Sequence, residues 1–181
     1  MSRPAVGPHV NHVVLTVRDI EASHRFYTEL LGFERCGVYK GDSCPTAMWF
    51  YRGSPESHHD FALIETVGGA DMPPAEEWTG FFPERTSGLN HLAIGYGSRD
   101  EWMDRIRHLQ AAGVPFVLRG NHGMTHSAYV SDPDGHGIEV LYDLPSEVWA
   151  GDVDAALSFF EHLPAEGDDA LDDSTDYHRF G

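Results

Sequence analysis

Three residues of this 181-residue chain have the types and places that a divalent-metal site needs: His12, His91 and Glu139. The histidines open two corresponding runs, His12-Val-Val-Leu-Thr-Val-Arg-Asp19 and His91-Leu-Ala-Ile-Gly-Tyr96, the latter followed by Arg99-Asp100. Glu139 lies near the end of the last apolar run. If the two halves pair about a pseudo-twofold axis, the histidines face one another across the joint. Two imidazoles and one carboxylate on one side of a metal leave positions open for oxygen and substrate, the arrangement of non-haem Fe(II) sites. The alternative is that each histidine merely caps an apolar strand, but repeat-equivalent placement favours ligation.

Positioning these donors requires an internal repeat. After the first strand, Asp19 to Leu31 carries Ile20, Phe26, Tyr27, Leu30 and Leu31 at helical spacing, with Gly32 ending the helix. After the second, Ser98 and Glu101 form a capping-box pattern, Trp102, Ile106 and Leu109 share a helix face, and Gly113 ends it. Short apolar segments follow each glycine, at 33–40, 46–52 and 60–66, then at 115–119, 126–131 and 137–142. Each half therefore reads β-α-β-β-β. The fold class is α+β, with two paired βαβββ modules forming a curved mixed sheet around a metal site. The modules are expected at 8–67 and 88–143, joined by a Gly-, Pro- and Glu-rich linker at 68–87 in which Trp78, Phe81 and Phe82 pack on the body. Residues 144–164 are expected as a C-terminal helical segment, with a helix over Asp152 to Leu163 turning Leu157, Phe160 and Phe159 inward. Residues 165–181 hold six acids against Arg179 and read as a disordered acidic tail.

Composition excludes several partners. With 12 Lys plus Arg against 29 Asp plus Glu, the formal charge is −17. Such a chain lacks the basic field that drives binding to nucleic acid or to an anionic membrane. No apolar run suits a signal peptide at Met1 to Val10, and none reaches the ~18 residues of a spanning helix. Cys36 and Cys44 are too few for a disulfide scaffold and too far apart for a zinc-binding pair, so both are expected as free thiols in a cytoplasmic protein. A small-molecule site is the default, and a homo-oligomer is expected by base rate.

The run from His12 through Phe26-Tyr27 to Leu31-Gly32-Phe33, with Tyr129-Val-Ser-Asp132-Pro-Asp-Gly135-His-Gly-Ile-Glu139, resembles the vicinal oxygen chelate superfamily. Within it, over residues 8–150, the chain looks like the type I extradiol ring-cleaving dioxygenases of the catechol 2,3-dioxygenase kind. His58-His59-Asp60-Phe61-Ala62-Leu63 resembles the His-Asp-x-Ala-Leu segment of those enzymes. The resemblance implies that His59 is an acid or base beside the bound catechol rather than a ligand, a task suited to a side chain that titrates near neutrality. It implies that Tyr129 hydrogen-bonds a substrate oxygen. It also matches a flexible-loop histidine to His122, with His126 as the alternative. The implied reaction is cleavage of a catecholic ring with O2 at Fe(II), with Mn(II) or another divalent metal as the substitute. Trp49 and Phe50 are among the aromatics expected to exclude water.

Superposing the repeats sets Ala62 opposite Glu139, so the first half lacks the fourth ligand typical of glyoxalase I, which favours the dioxygenase. His59 and an inward Ala62 then demand an irregular start to their strand. A straight strand with Glu65 inward would instead complete a two-His, two-Glu site and favour a glyoxalase-like isomerase or a transferase. A metal-free small-molecule binding protein, like the bleomycin-sequestering members, is the alternative from a different class.

Overall fold

Alternating β-branched and aromatic residues form nine strands in the described residues, which are 9–39, 41, 45–73, 76, 78–81 and 88–181 of a computed structural model. The chain divides into two compact units, Met1–Pro74 and Ala75–Gly181.

In the first unit, β1 (Val13–Val17), β2 (Glu34–Tyr39), β3 (Met48–Arg52) and β4 (Phe61–Glu65) form a sheet in the order β1-β4-β3-β2. β1 runs parallel to β4 and the other pairs are antiparallel. Helix α1 (Ile20–Arg25) continues into a π-helical turn, Phe26–Leu30. Its N-terminus is capped by Asp19, whose Oδ1 accepts from the backbone N–H of Glu21 and of Ala22. Replacing Asp19 with Ala is expected to cost about 1 kcal/mol in chemical denaturation. The alternation of β1 and β4 buries Leu15, Val17, Phe61 and Leu63. Phe61 packs its ring against Tyr27, Phe33 and Tyr51.

The second unit repeats the pattern with β5 (His91–Tyr96), α2 (Arg99–Ala111), β6 (Leu118–Asn121), β7 (Thr125–Ser131) and β8 (Gly137–Asp143). The sheet order is β5-β8-β7-β6-β9, with β5 again parallel to the unit's last repeat strand, β8. One face buries Ile94, Ile138, Val140, Ala128 and Val130, and the helix turns Trp102, Met103, Ile106 and Leu109 inward. The Trp102 indole N–H donates to the Val140 carbonyl at 2.9 Å. Each such large apolar side chain contributes about 1.5–3 kcal/mol by leaving water. Gly32 and Gly113 end the two helices at φ of 86° and 76°, a backbone region that L side chains with a Cβ enter at a cost.

The C-terminal region departs from expectation. Instead of one helix to Leu163, the chain forms α3 (Ser146–Trp149) and α4 (Val153–Leu157), then strand β9 (Glu161–Leu163). β9 pairs antiparallel with β6 and so covers an edge of the sheet whose backbone groups would otherwise be unpaired. Leu157 and Phe160 do not turn inward as expected: they are 66% and 39% exposed. Residues 165–181, expected to be disordered, contain a 3-10 turn at Asp168–Leu171 and bury Ala170, Asp173 and Phe180. The reason is electrostatic. Asp173 enters a pocket of the second unit beside Arg99, Arg119 and His126, where its side chain is 0% exposed.

Candidate active site

Strand pairing gathers the predicted residues of the second unit. In β8, Gly137, Glu139 and Leu141 point to one face, and their register partners are His91, Ala93 and Gly95 of β5. Across β7 the partners are Ser131, Tyr129 and Ser127. His91, Glu139 and Tyr129 therefore share the face opposite α2. His91 Nε2 stands 3.1 Å from Glu139 Oε2. The other carboxylate oxygen accepts a 2.6 Å hydrogen bond from the buried Ser127 hydroxyl.

His122, at the turn after β6, meets the same group: its Nε2 lies 2.9 Å from the Tyr129 hydroxyl. Burial lowers the pKa of His122, against the raising effect of Glu139. Burial, with the Glu139 charge, pushes that of Tyr129 well above the usual phenol value. Tyr129 thus stays protonated and can donate to neutral His122. His126, the alternative to His122, does not join this group. It points to the α2 side of the sheet, where Nδ1 meets Asp173 at 2.7 Å and the Tyr142 hydroxyl at 3.2 Å. Trp78 stacks on Tyr129 at 5.4 Å, and Phe81 meets Tyr129 edge-on at 4.9 Å. Phe82, expected beside them, lies outside the described residues, as does Cys44. The resulting cavity of about 320 Å³ is lined by His91, His122, Tyr129, Glu139, Phe81 and Leu157, among others.

In the first unit, His12 directly precedes β1 and its ring lies 4.6 Å from that of His59. Phe50 meets His59 edge-on at 5.1 Å. The irregular start demanded of β4 is present. Asp60 is tied down through Gly53 N–H and the Ser57 hydroxyl, and its own N–H donates to the Tyr51 carbonyl. His59 thereby sits outside the regular alternation, while Phe50 pairs directly with Ala62. His58 and His59 hydrogen-bond through Nδ1 at 2.7 Å. Burial, then the neighbouring charges of His58 and His12, lower the pKa of His59. Trp49 is not with them: it faces α1, edge-on to His24 and beneath the Arg35 guanidinium. Glu65 is also engaged elsewhere. Its Oε1 accepts from Ile20 N–H at the start of α1.

The registers of the two units superpose His12 on His91, Ala62 on Glu139 and Phe50 on Tyr129. Both halves keep the imidazole, and only the second keeps the carboxylate and phenol. Both also carry a feature that the sequence reading missed. Asn11 Oδ1 meets His12 Nδ1 at 2.8 Å, and Asn90 Oδ1 meets His91 Nδ1 at 2.7 Å. An amide oxygen only accepts, so each Nδ1 carries the proton of that bond and Nε2 is the ring nitrogen left for another partner. Extending the repeat one residue upstream, to Asn-His in both halves, would have found it. Ser127 was missed because a serine in a strand carries no local signal.

A divalent metal suits this donor chemistry. A lone pair on His91 Nε2 facing a carboxylate oxygen at 3.1 Å needs a cation or a proton between them. Imidazole nitrogen and carboxylate oxygen suit Fe, Mn, Ni and Zn alike. Among the described residues no group of three or more His, Cys, Asp or Glu side chains is gathered closely enough to hold an ion. The second unit brings together two donors, and His12 belongs to the first.

Residues 9–140 match the profile of the Glyoxalase/Bleomycin resistance protein/Dioxygenase superfamily. The chain belongs to this superfamily. It is 28% identical over 145 residues to the catechol-2,3-dioxygenase of Bacillus subtilis (strain 168), spanning 80% of this chain and only 45% of that protein. It is 29% identical over 168 residues to the lactoylglutathione lyase of Pseudomonas putida, spanning 78% and 90%. A glyoxylase/bleomycin resistance protein/dioxygenase domain from Frankia sp. EAN1pec superposes with a TM-score of 0.57 at 26% identity, over 77% of this chain and 94% of that one. Near-equal identity to a dioxygenase and to a lyase means that overall likeness does not select a reaction within the superfamily. No helix of the described residues is long and apolar enough to cross a membrane.

Proposed function

We propose that this superfamily member is an extradiol dioxygenase that opens the ring of a catecholic substrate with O2, using Fe(II) held by His12, His91 and Glu139. Ala62 carries this reading. It occupies the position where a fourth, carboxylate ligand would make a glyoxalase-like site, and the nearby Glu65 is spent on the N-terminus of α1. A set of three protein donors leaves positions open for two substrate oxygens and O2. When bound, the metal supplies a Lewis acid that eases ionisation of the catechol and a path for electrons to O2.

The chain's own groups do the rest. Asn11 and Asn90 hold the two imidazoles with Nε2 outward, and Ser127 holds the carboxylate in its rotamer. Tyr129 remains a phenol and orients a substrate oxygen, with His122 as its hydrogen-bond partner. His59, kept neutral by burial and by its histidine neighbours, takes up the catechol proton and returns it during ring opening. Trp78 and Phe81 exclude water. His12 and His59 come from one unit and the remaining groups from the other, so the reading requires the units to pair, within a chain or between two copies.

Protein loaded anaerobically with Fe(II) and then given a panel of catechols and oxygen is expected to consume O2 and form yellow ring-opened products. Bound iron without oxygen uptake on any catechol, or production of lactoylglutathione instead, would overturn the reading. His59→Gln is expected to lower kcat by about 100-fold or more while leaving the iron content unchanged. Loss of iron in step with rate would reassign His59 as a ligand.

A further inference from the structure

We propose that Phe180 is a positioning residue for the site: lodged against the turn that carries His122, it holds the His122 imidazole at the Tyr129 hydroxyl. Its effect on rate rests on the catechol reading above, whereas its effect on His122 stands apart from that reading. His122 needs such support. It lies in the short turn between β6 and β7, outside either strand, and its Nε2 meets the Tyr129 hydroxyl at 2.9 Å. A side chain carried on a turn keeps a working geometry when the groups around it fix the backbone. A misplacement of about 1 Å can cost about 100-fold in rate.

The turn is fixed from three sides. Within it, the His122 N–H donates to the Thr125 carbonyl and the Gly123 N–H to Asn121 Oδ1, each at 2.9 Å. Gly123 has a φ of 77°, a left-handed backbone that favours glycine. A Cβ there would stand 2.9 Å from the Ala156 carbonyl oxygen of α4 and 3.0 Å from the edge of the Phe180 ring. Both groups therefore lie directly against the backbone next to His122. Phe180 is in turn held in place. It is 7% exposed, its N–H donates to the Val148 carbonyl at 2.8 Å, and its ring meets those of Phe159 and His178 edge-on. Gly151 lets the chain come this close, since a Cβ there would stand 2.6 Å from the Phe180 carbonyl oxygen. Upstream, Asp173 fixes the same segment in its pocket, and the Tyr177 ring lies edge-on to His126. The segment thus ties the Asp173 pocket to the His122 turn. Ala156 and Phe180, the two residues that press on Gly123, lie beyond residue 140, where the superfamily match ends.

The test labels the histidine nitrogens and follows the His122 Nε2 resonance at one fixed pH, with Zn(II) as a diamagnetic stand-in for Fe(II). His122→Gln assigns the resonance by its loss, and Tyr129→Phe marks where it lies without the hydrogen bond. In Phe180→Ala the resonance is expected to move toward the Tyr129→Phe position, and in Phe180→Leu, which keeps much of the apolar volume, to move less. Circular dichroism checks the fold, and Phe180→Leu carries the test if Phe180→Ala does not fold. With the Fe(II) protein, Phe180→Ala is expected to lower kcat on catechol about tenfold. Combined with His122→Gln it is expected to be no slower than His122→Gln alone, because the ring acts through that imidazole. A wild-type His122 resonance in the folded variant, or a loss of rate that adds to that of His122→Gln, would overturn this role of Phe180. So would wild-type kcat beside a moved resonance, since placement of His122 would then not bear on rate. A moved resonance with no turnover of any catechol, in wild type or variant, would overturn the reaction and leave the positioning of His122 standing.

Discussion

Glu139→Gln is expected to empty the metal site and to lower catechol-dependent oxygen uptake by more than about 100-fold, beyond the 10–100-fold that follows loss of a group merely supporting a ligand. The carboxamide keeps the shape of the side chain, and its oxygen can still accept from Ser127, as Glu139 Oε1 does at 2.6 Å. What disappears is the anionic oxygen 3.1 Å from His91 Nε2, which is replaced by an amide that cannot serve as an anionic ligand. His91 keeps its Nδ1 hydrogen bond to Asn90 and Ser127 keeps an acceptor, so the fold is expected to lose no more than about 1 kcal/mol. Iron per chain after anaerobic loading, oxygen uptake and thermal melting separate these effects. Iron content and uptake both equal to wild type would remove Glu139 from the metal site. Unchanged binding of an aromatic ligand with no metal in either protein would favour sequestration over catalysis.

The largest effect on stability is expected at Asp173, whose partner His126 points to the opposite face of the sheet from Glu139. The Asp173 carboxylate is wholly buried and accepts from Arg99 Nε at 2.7 Å, from the Tyr142 hydroxyl at 2.9 Å and from His126 Nδ1 at 2.7 Å. Arg119, also fully buried, places Nη2 3.9 Å away and donates through Nη1 to the carbonyls of Pro164 and Asp172. Asp173→Asn would leave these cations without their counter-charge, which typically costs about 3–5 kcal/mol. Urea denaturation and faster proteolysis of residues 165–181 are the measures. Wild-type resistance on both would show that the tail is not held by this carboxylate.

The same group predicts an acid limb. Burial by itself raises the pKa of Asp173, but the hydrogen bonds from His126, Tyr142 and Arg99 outweigh it and hold the carboxyl below its ordinary 3.8. A depressed folded-state pKa means that its contribution is complete above about 3.8 and is lost as pH falls through the lower folded value. The melting temperature of wild type is expected to drop steeply there, and that of Asp173→Asn less so.

Much of the site was legible before the structure because it rests on short-range pattern. His12 and His91 announce themselves by beginning two similar runs, and the period of two in β8 puts Glu139 on the same face as His91's partner. The choice between His122 and His126 was not legible. They are four residues apart, and only the start of β7 at Thr125 decides which face each takes. Glu65 likewise alternated toward either outcome until the packing of α1 brought Ile20 N–H to its carboxylate.

By itself the sequence determined the twofold βαβββ order, the helix caps and the donor types, since each follows from periodicity and spacing within a few residues. Tertiary structure alone decided what lies far apart along the chain. An acidic tail reads as disordered because composition counts its charges without their partners. Arg99, Arg119 and His126 stand 47 to 74 residues upstream of Asp173, and burying that charge among them is a gain that no local window contains. The placing of Phe160 over Gly120 has the same origin: a missing side chain in one strand matters only once β9 has brought the ring to it.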